Sequence, residues 1–120
     1  DDVIMKLGCS PSKIDLVIKN ISDYCVGNRY PIEMIVGPAR GVIKCKIIGV
    51  VSVLIETVAM FRKITSEVGG YAVVELAPTS SKKNIDVWGD PGLGLPLMRR
   101  LKEKLDPNGI LNVGRYVEGL

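Results

Sequence analysis

The chain has no histidine, and that absence removes the commonest general base, the commonest metal ligand and every Ser-His or Cys-His nucleophile arrangement. Its three cysteines, Cys9, Cys25 and Cys45, are odd in number, widely spaced and without a CxxC pair. They indicate neither a disulfide framework nor a zinc site, and they fit a reducing, cytoplasmic setting. Aromatic residues make up 5% of the chain with no interleaved pattern, which argues against a stacking platform for single-stranded nucleic acid. An excess of 16 basic over 13 acidic residues is too small to mark nucleic-acid binding unless the basic residues form a stripe. No run reaches the roughly 20 apolar residues of a membrane helix, and the start lacks the basic, apolar, small-residue order of a signal peptide. An initiator methionine is missing too: "DDVIMKL" enters a strand at once, as expected of a fragment of a longer protein.

What is present suffices for a core. At 120 residues and 47% hydrophobic content, a single domain over 1–120 is expected to bury roughly two thirds of the surface its unfolded chain exposes. Val3, Met5 and Leu7 alternate along a first strand. Ser10 and Pro11 then suit an N-cap and first helical position, and Ile14, Val17, Ile18, Ile21 and Cys25 follow at helical spacing to about Gly27. Two strand-like runs, "YPIEMIVG" and "GVIKCKIIG", flank the turn-forming "GPARG". In the second run Ile43, Cys45 and Ile47 alternate with Lys44 and Lys46, the period of a half-buried strand.

A second helix is expected over 51–68, stopped by Gly69 and Gly70, and "YAVVELA" reads as a fourth strand. The order strand, helix, strand, strand, helix, strand predicts an α+β, ferredoxin-like domain: a four-stranded antiparallel sheet (βαββαβ) with both helices on one face. This core is assigned to 1–77 and a C-terminal extension to 78–120. The extension should hold a short helical turn, a loop anchored by Trp88, and a helix from Pro96 to Leu105. Leu97, Met98, Leu101 and Leu105 are expected inward, with Arg99, Arg100, Lys102 and Lys104 on an outer side read as a solvated face, the alternative being a contact with an anionic cofactor or partner. Asp106 and Pro107 end that helix, and "GDPGLGLP" lacks the ending of a phosphate loop, so it reads as a linker.

Over 84–120, "NIDVWGDPG" and "LMRRLKEKLDPNGILNVGRYVEGL" resemble the C-terminal part of FAD-linked oxidases of the vanillyl-alcohol-oxidase type, in particular the E-subunit family of bacterial glycolate oxidases. The resemblance implies a cap that covers a flavin held by an upstream FAD-binding domain, and a small 2-hydroxy acid as substrate. Other oxidase subunits are possible partners, with no nucleic acid and no membrane span. It implies FAD in the parent protein, none in this fragment, no catalytic residue or metal here, and an isolated chain that is folded, colourless and inactive. Asn112, Gly114 and Arg115 become candidates for docking to the flavin domain. Two departures stand out. "VGPARGVIK" replaces the histidine-rich turn of related catalytic subunits, and Val113 stands where the family has proline.

From the residues alone, the tail reads first as a helix stop followed by a strand on the same domain, with docking to a partner as the alternative. If the helices cover the sheet side bearing Val3, Met5, Leu7, Ile43, Cys45, Ile47, Ala72, Val74 and Leu76, the other side carries Ile4, Lys6, Lys44, Lys46, Tyr71, Val73 and Glu75. That side is either an ordinary wet sheet face or a surface that attracts a substrate carboxylate, with Lys44, Lys46 and the turn residue Arg40 as substrate-facing candidates. Glu75 is expected to pair with Lys44 or Lys46 across the sheet. The alternative function is a stand-alone ferredoxin-like module that binds a ligand or oligomerises.

Overall fold

A computed structural model describes residues 1–112 and 114–120, so the exchange of proline for Val113 lies outside the described residues. The chain divides into two compact units, Asp1–Val87 and Trp88–Leu120. The first contains β1 (Asp2–Gly8), α1 (Ile14–Asn28), β2 (Ile32–Gly37), β3 (Val42–Ile48), α2 (Val51–Ser66), β4 (Tyr71–Leu76) and the short α3 (Thr79–Lys82). The strands form an open antiparallel sheet in the order β2-β3-β1-β4. With α1 and α2 on one side, this is the α+β, ferredoxin-like arrangement that the element order predicts.

The alternation in β1 and β3 explains the core. Val3, Met5, Leu7, Ile43, Cys45 and Ile47 are all essentially inaccessible, because residues two apart share one face of a pleated strand. Against them pack Ile14, Val17, Ile21 and Cys25 of α1 and Leu54, Val58, Phe61 and Ile64 of α2. Full burial of each large apolar side chain contributes ~1.5–3 kcal/mol relative to exposure.

Local chemistry sets the ends of these elements. A 3-10 turn at Pro11–Lys13 precedes α1, and Ser10 makes no side-chain cap bond, so Pro11 rather than Ser10 shapes that start. The helix stops at Asn28, where Arg29 adopts a left-handed conformation at φ 57° and Tyr30 N–H donates to the Cys25 carbonyl. After α2, Gly69 takes φ +71°.

One inward assignment is overturned. Leu76 is 54% exposed and Ala77 is buried instead. The pairing of β1 with β4 shifts between Ile4↔Leu76 and Met5↔Val74, a β-bulge whose extra residue on β4 reverses the alternation beyond it.

The outer edge of β4 is partly capped by the chain that follows. Val74 N–H donates to the Val87 carbonyl at 2.8 Å, Arg62 donates to the carbonyls of Ala72 and Asp86, and Ile85 is buried. Burial lowers the Arg62 pKa, opposed by the Asp86 carboxylate, and covering the edge blunts strand addition there.

The second unit holds a 3-10 turn (Gly92–Gly94), α4 (Leu95–Leu105) and a final 3-10 turn (Val117–Gly119). Pro96 sits in the first turn of α4 as expected. The inward stripe is corrected: α4 buries no residue, and Leu97, Leu101 and Leu105 are 62%, 51% and 77% exposed. A helical stripe is buried only when an opposing apolar layer meets it. Trp88 packs edge-on against Tyr116 with ring centroids 4.8 Å apart. Among the described residues, no helix is long and apolar enough to cross a membrane.

Candidate functional site

The sheet face opposite α1 and α2 is the first candidate. Strand pairing places Ile35, Lys44, Lys6 and Val73 in one row and Glu33, Lys46 and Ile4 in the next. Lys44 Nζ lies 3.2 Å from Glu75 and Lys46 Nζ lies 3.5 Å from Asp2. Both pairs are partly solvated, so each contributes only ~0–1 kcal/mol, yet each neutralises its lysine locally. Lys6, on a central strand, has no ion pair within 4.0 Å among the described residues. It is half-buried and pairs directly opposite Lys44.

A second feature lies at the end of the sheet, a cleft of about 230 Å³ lined by Gly8, Cys9, Ser10, Arg40, Gly70 and Tyr71, among others. Close backbone packing builds it. Cys9 N–H donates to the Gly41 carbonyl at 2.9 Å, Gly41 takes φ +65°, and a Cβ there would fall on the Cys9 carbonyl oxygen. A Cβ at Gly8 would fall on the Tyr71 ring, and one at Gly70 on the Gly8 carbonyl. Burial raises the Cys9 thiol pKa, so Cys9 is held as the weakly nucleophilic thiol. Burial, reinforced by Cys25, pushes Cys45 up to about 12.

The third feature is the C-terminal tail. Asp106, buried at the end of α4, accepts the N–H groups of Ile110 (3.1 Å) and Leu111 (2.9 Å) and the Lys102 ammonium (2.7 Å). Lys102 also donates to the Leu111 carbonyl at 2.6 Å. The Lys102 hydrogen bond first, then the Leu111 and Ile110 N–H groups, hold the Asp106 carboxyl near a pKa of about 2, because each favours the anion. Lys102 is thus corrected from a solvated outer-face residue to a clamp, and its position four residues before Asp106 was the available signal. Beyond the clamp, Gly109, Asn112 and Gly114 take φ of 62°, 45° and 75°, and Arg115 N–H donates to the Asn112 carbonyl at 3.1 Å. An open cleft of about 560 Å³, with Met98, Leu101, Leu105 and Leu111 among its walls, has Asn112 and Arg115 on its lining.

The candidate residues therefore fall into three places. Lys44 and Lys46 share the open sheet face, Arg40 stands at the end cleft of the same unit, and Asn112, Gly114 and Arg115 belong to the clamped tail of the second unit. Among the described residues no cluster of three His, Cys, Asp or Glu side chains could hold a metal ion. What these surfaces offer chemically is cationic and amide donors suited to carboxylate or phosphate oxygens. No family model matches this chain, and no curated protein matches its sequence.

Proposed function

We propose that this chain is the cap domain of an FAD-dependent 2-hydroxyacid, glycolate-type oxidase or dehydrogenase, covering a flavin held by an upstream domain of the parent protein. The observation that carries the proposal is the tail: within the segment that resembles the family's "LDPNGILN" pattern, Asp106 and Lys102 bond the backbone of Ile110 and Leu111. A turn bonded around Asp106 next to exposed Asn112 and Arg115 is preorganised for docking. Its left-handed backbone at Asn112 and Gly114 and the exposed Arg115 fit a neighbour rich in phosphate or carbonyl oxygens. When bound, the flavin supplies hydride acceptance from the carbon bearing the hydroxyl. This chain's residues contribute a lid that excludes water and a sheet face whose lysines orient the acid.

The test is to express the chain together with its parent's upstream sequence. Arg115→Ala, or deletion of residues 108–120, is expected to lower flavin retention or subunit assembly while the sheet stays folded. Unchanged flavin content and assembly in both variants would remove the docking role. The chain by itself is expected to purify colourless and inactive, and stoichiometric bound flavin would sink the division of labour.

The sheet face also supports a second reading, a self-associating module. Ile35 and Leu76 are 76% and 54% exposed there. Light scattering at rising concentration tests it, with a constant mass counting against self-association.

A further inference from the structure

We propose that the outer edge of β2 pairs with the β2 of a second copy of this chain, joining two four-stranded sheets into one; this rests on the self-association reading and gives it a surface. The two edges of the sheet differ. At β4 the chain that follows supplies a cap, since Val74 N–H donates to the Val87 carbonyl. β2 has β3 on one side and, among the described residues, no backbone partner on the other. Every second residue of Ile32–Gly37 therefore presents an unpaired N–H and C=O outward. Pro31 and Pro38 bound this run, and every residue between them can donate.

A second copy suits this edge because a two-fold axis normal to the sheet pairs the strand with itself, antiparallel, and each edge then supplies the donors and acceptors that the other lacks. Residues opposite one another must share a face, which leaves few registers. Centring on Glu33 sets like charges opposite, centring on Met34 sets Glu33 against Ile35 of the second copy, and centring on Val36 runs the pairing into Pro38. Centring on Ile35 sets this exposed side chain against its own copy, Met34 against Val36 and Glu33 against Gly37. That register covers the apolar residue and opposes no charge to it.

α1 extends the contact, since a strand pair is small against the roughly 1,000 Å² that a specific interface buries. Tyr24 donates to Glu56 and its ring meets Phe61 edge-on, so that flank of α1 faces α2. The helical repeat puts Ile18, Ser22 and Val26 on the opposite flank, on the side of the open edge, and Val26 is 77% exposed. The same axis sets the α1 helices of the two copies antiparallel. Asp15 in the first turn of one helix then lies toward the same end as Arg29 after the last turn of the other, opposite charges that favour this arrangement.

The experiment measures the mass of the chain by light scattering at rising concentration. The mass is expected to climb from one chain to two and no further. Ile35→Lys, which sets lysine opposite lysine, should raise the dimer Kd about tenfold or more with Tm unchanged, and Leu76→Lys on the sheet face should stay within about twofold. With oxidised glutathione as oxidant, Ile35→Cys should give a disulfide-linked dimer. Glu33→Cys and the unchanged chain should not, because the two copies of residue 33 lie about 13 Å apart in this register, beyond the reach of a disulfide. A dimer that survives Ile35→Lys, or that is lost in Leu76→Lys alone, overturns the β2 edge and leaves self-association through another surface. So does cross-linking of Glu33→Cys as readily as Ile35→Cys. A mass that stays at one chain throughout overturns both this pairing and the self-association reading.

Discussion

Replacing Gly41 by alanine should cost the first unit markedly more than replacing Gly69, although both glycines have nearly the same backbone conformation. Gly41 has φ +65° and Gly69 has φ +71°, and a left-handed conformation costs an L-residue ~1–2 kcal/mol. The reduced freedom of the unfolded chain returns ~0.4–1 kcal/mol of that. At Gly69 a Cβ meets nothing within 4 Å, so the net loss there is about 1 kcal/mol. At Gly41 the same methyl group falls on the Cys9 carbonyl oxygen, a backbone atom that cannot rotate aside. Relief requires the two segments to separate, which weakens the Cys9 N–H to Gly41 carbonyl bond of 2.9 Å and adds ~1–3 kcal/mol. In a domain of this size 1 kcal/mol corresponds to ~4–8 °C in Tm. Thermal unfolding followed by circular dichroism should therefore show Gly41→Ala lowering Tm two to four times as much as Gly69→Ala. Equal shifts would refute the claim that close approach, and not conformation alone, demands glycine at position 41. Because Arg40 precedes this residue and lines the end cleft, the same variant should displace Arg40.

Two further outcomes follow from titratable groups. The Asp106 carboxyl has a folded-state pKa of about 2 against an ordinary 3.8, so its stabilisation of the tail is fully present above the ordinary value and is lost as pH falls through about 2. Protection of the Ile110 and Leu111 amides, taken relative to their intrinsic exchange rate at each pH, should fall over that acid window, and Asp106→Asn should lower it at neutral pH. Protection that is unchanged in the variant would show that the clamp does not order the tail. Cys45, pushed up to about 12 by burial and Cys25, should react with a thiol reagent at pH 8 only through unfolding, more slowly than the less buried Cys9. Labelling of Cys45 as fast as Cys9 would contradict its burial.

The tail shows how a local pattern and its tertiary use diverge. The turn at 106–109 is readable because Asp, Pro, Asn and Gly each suit a turn position, and Gly109 N–H does donate to the Asp106 carbonyl. The four-residue spacing of Lys102 and Asp106 hints at their pair, but that Lys102 also reaches the Leu111 carbonyl is not readable from helical periodicity. Periodicity assigns faces, not partners beyond the helix end. For the same reason the stripe of Leu97, Leu101 and Leu105 reads as buried, since amphipathicity records a preference for burial and not the presence of a surface to satisfy it.

In the first unit, sequence alone determined the strands, the two long helices and most inward faces. The alternation of Val3, Met5 and Leu7 and of Ile43, Cys45 and Ile47 is enforced by the pleat, and the stripe from Ile14 to Cys25 by the helical repeat. The tertiary structure alone decided that Lys44 takes Glu75 while Lys46 takes Asp2, and that Leu76 turns outward. Those outcomes depend on the register of β4 against β1 and on the bulge between Ile4 and Met5. Register is set when strands distant in sequence meet and one residue must be left without a partner, which no local run of residues encodes.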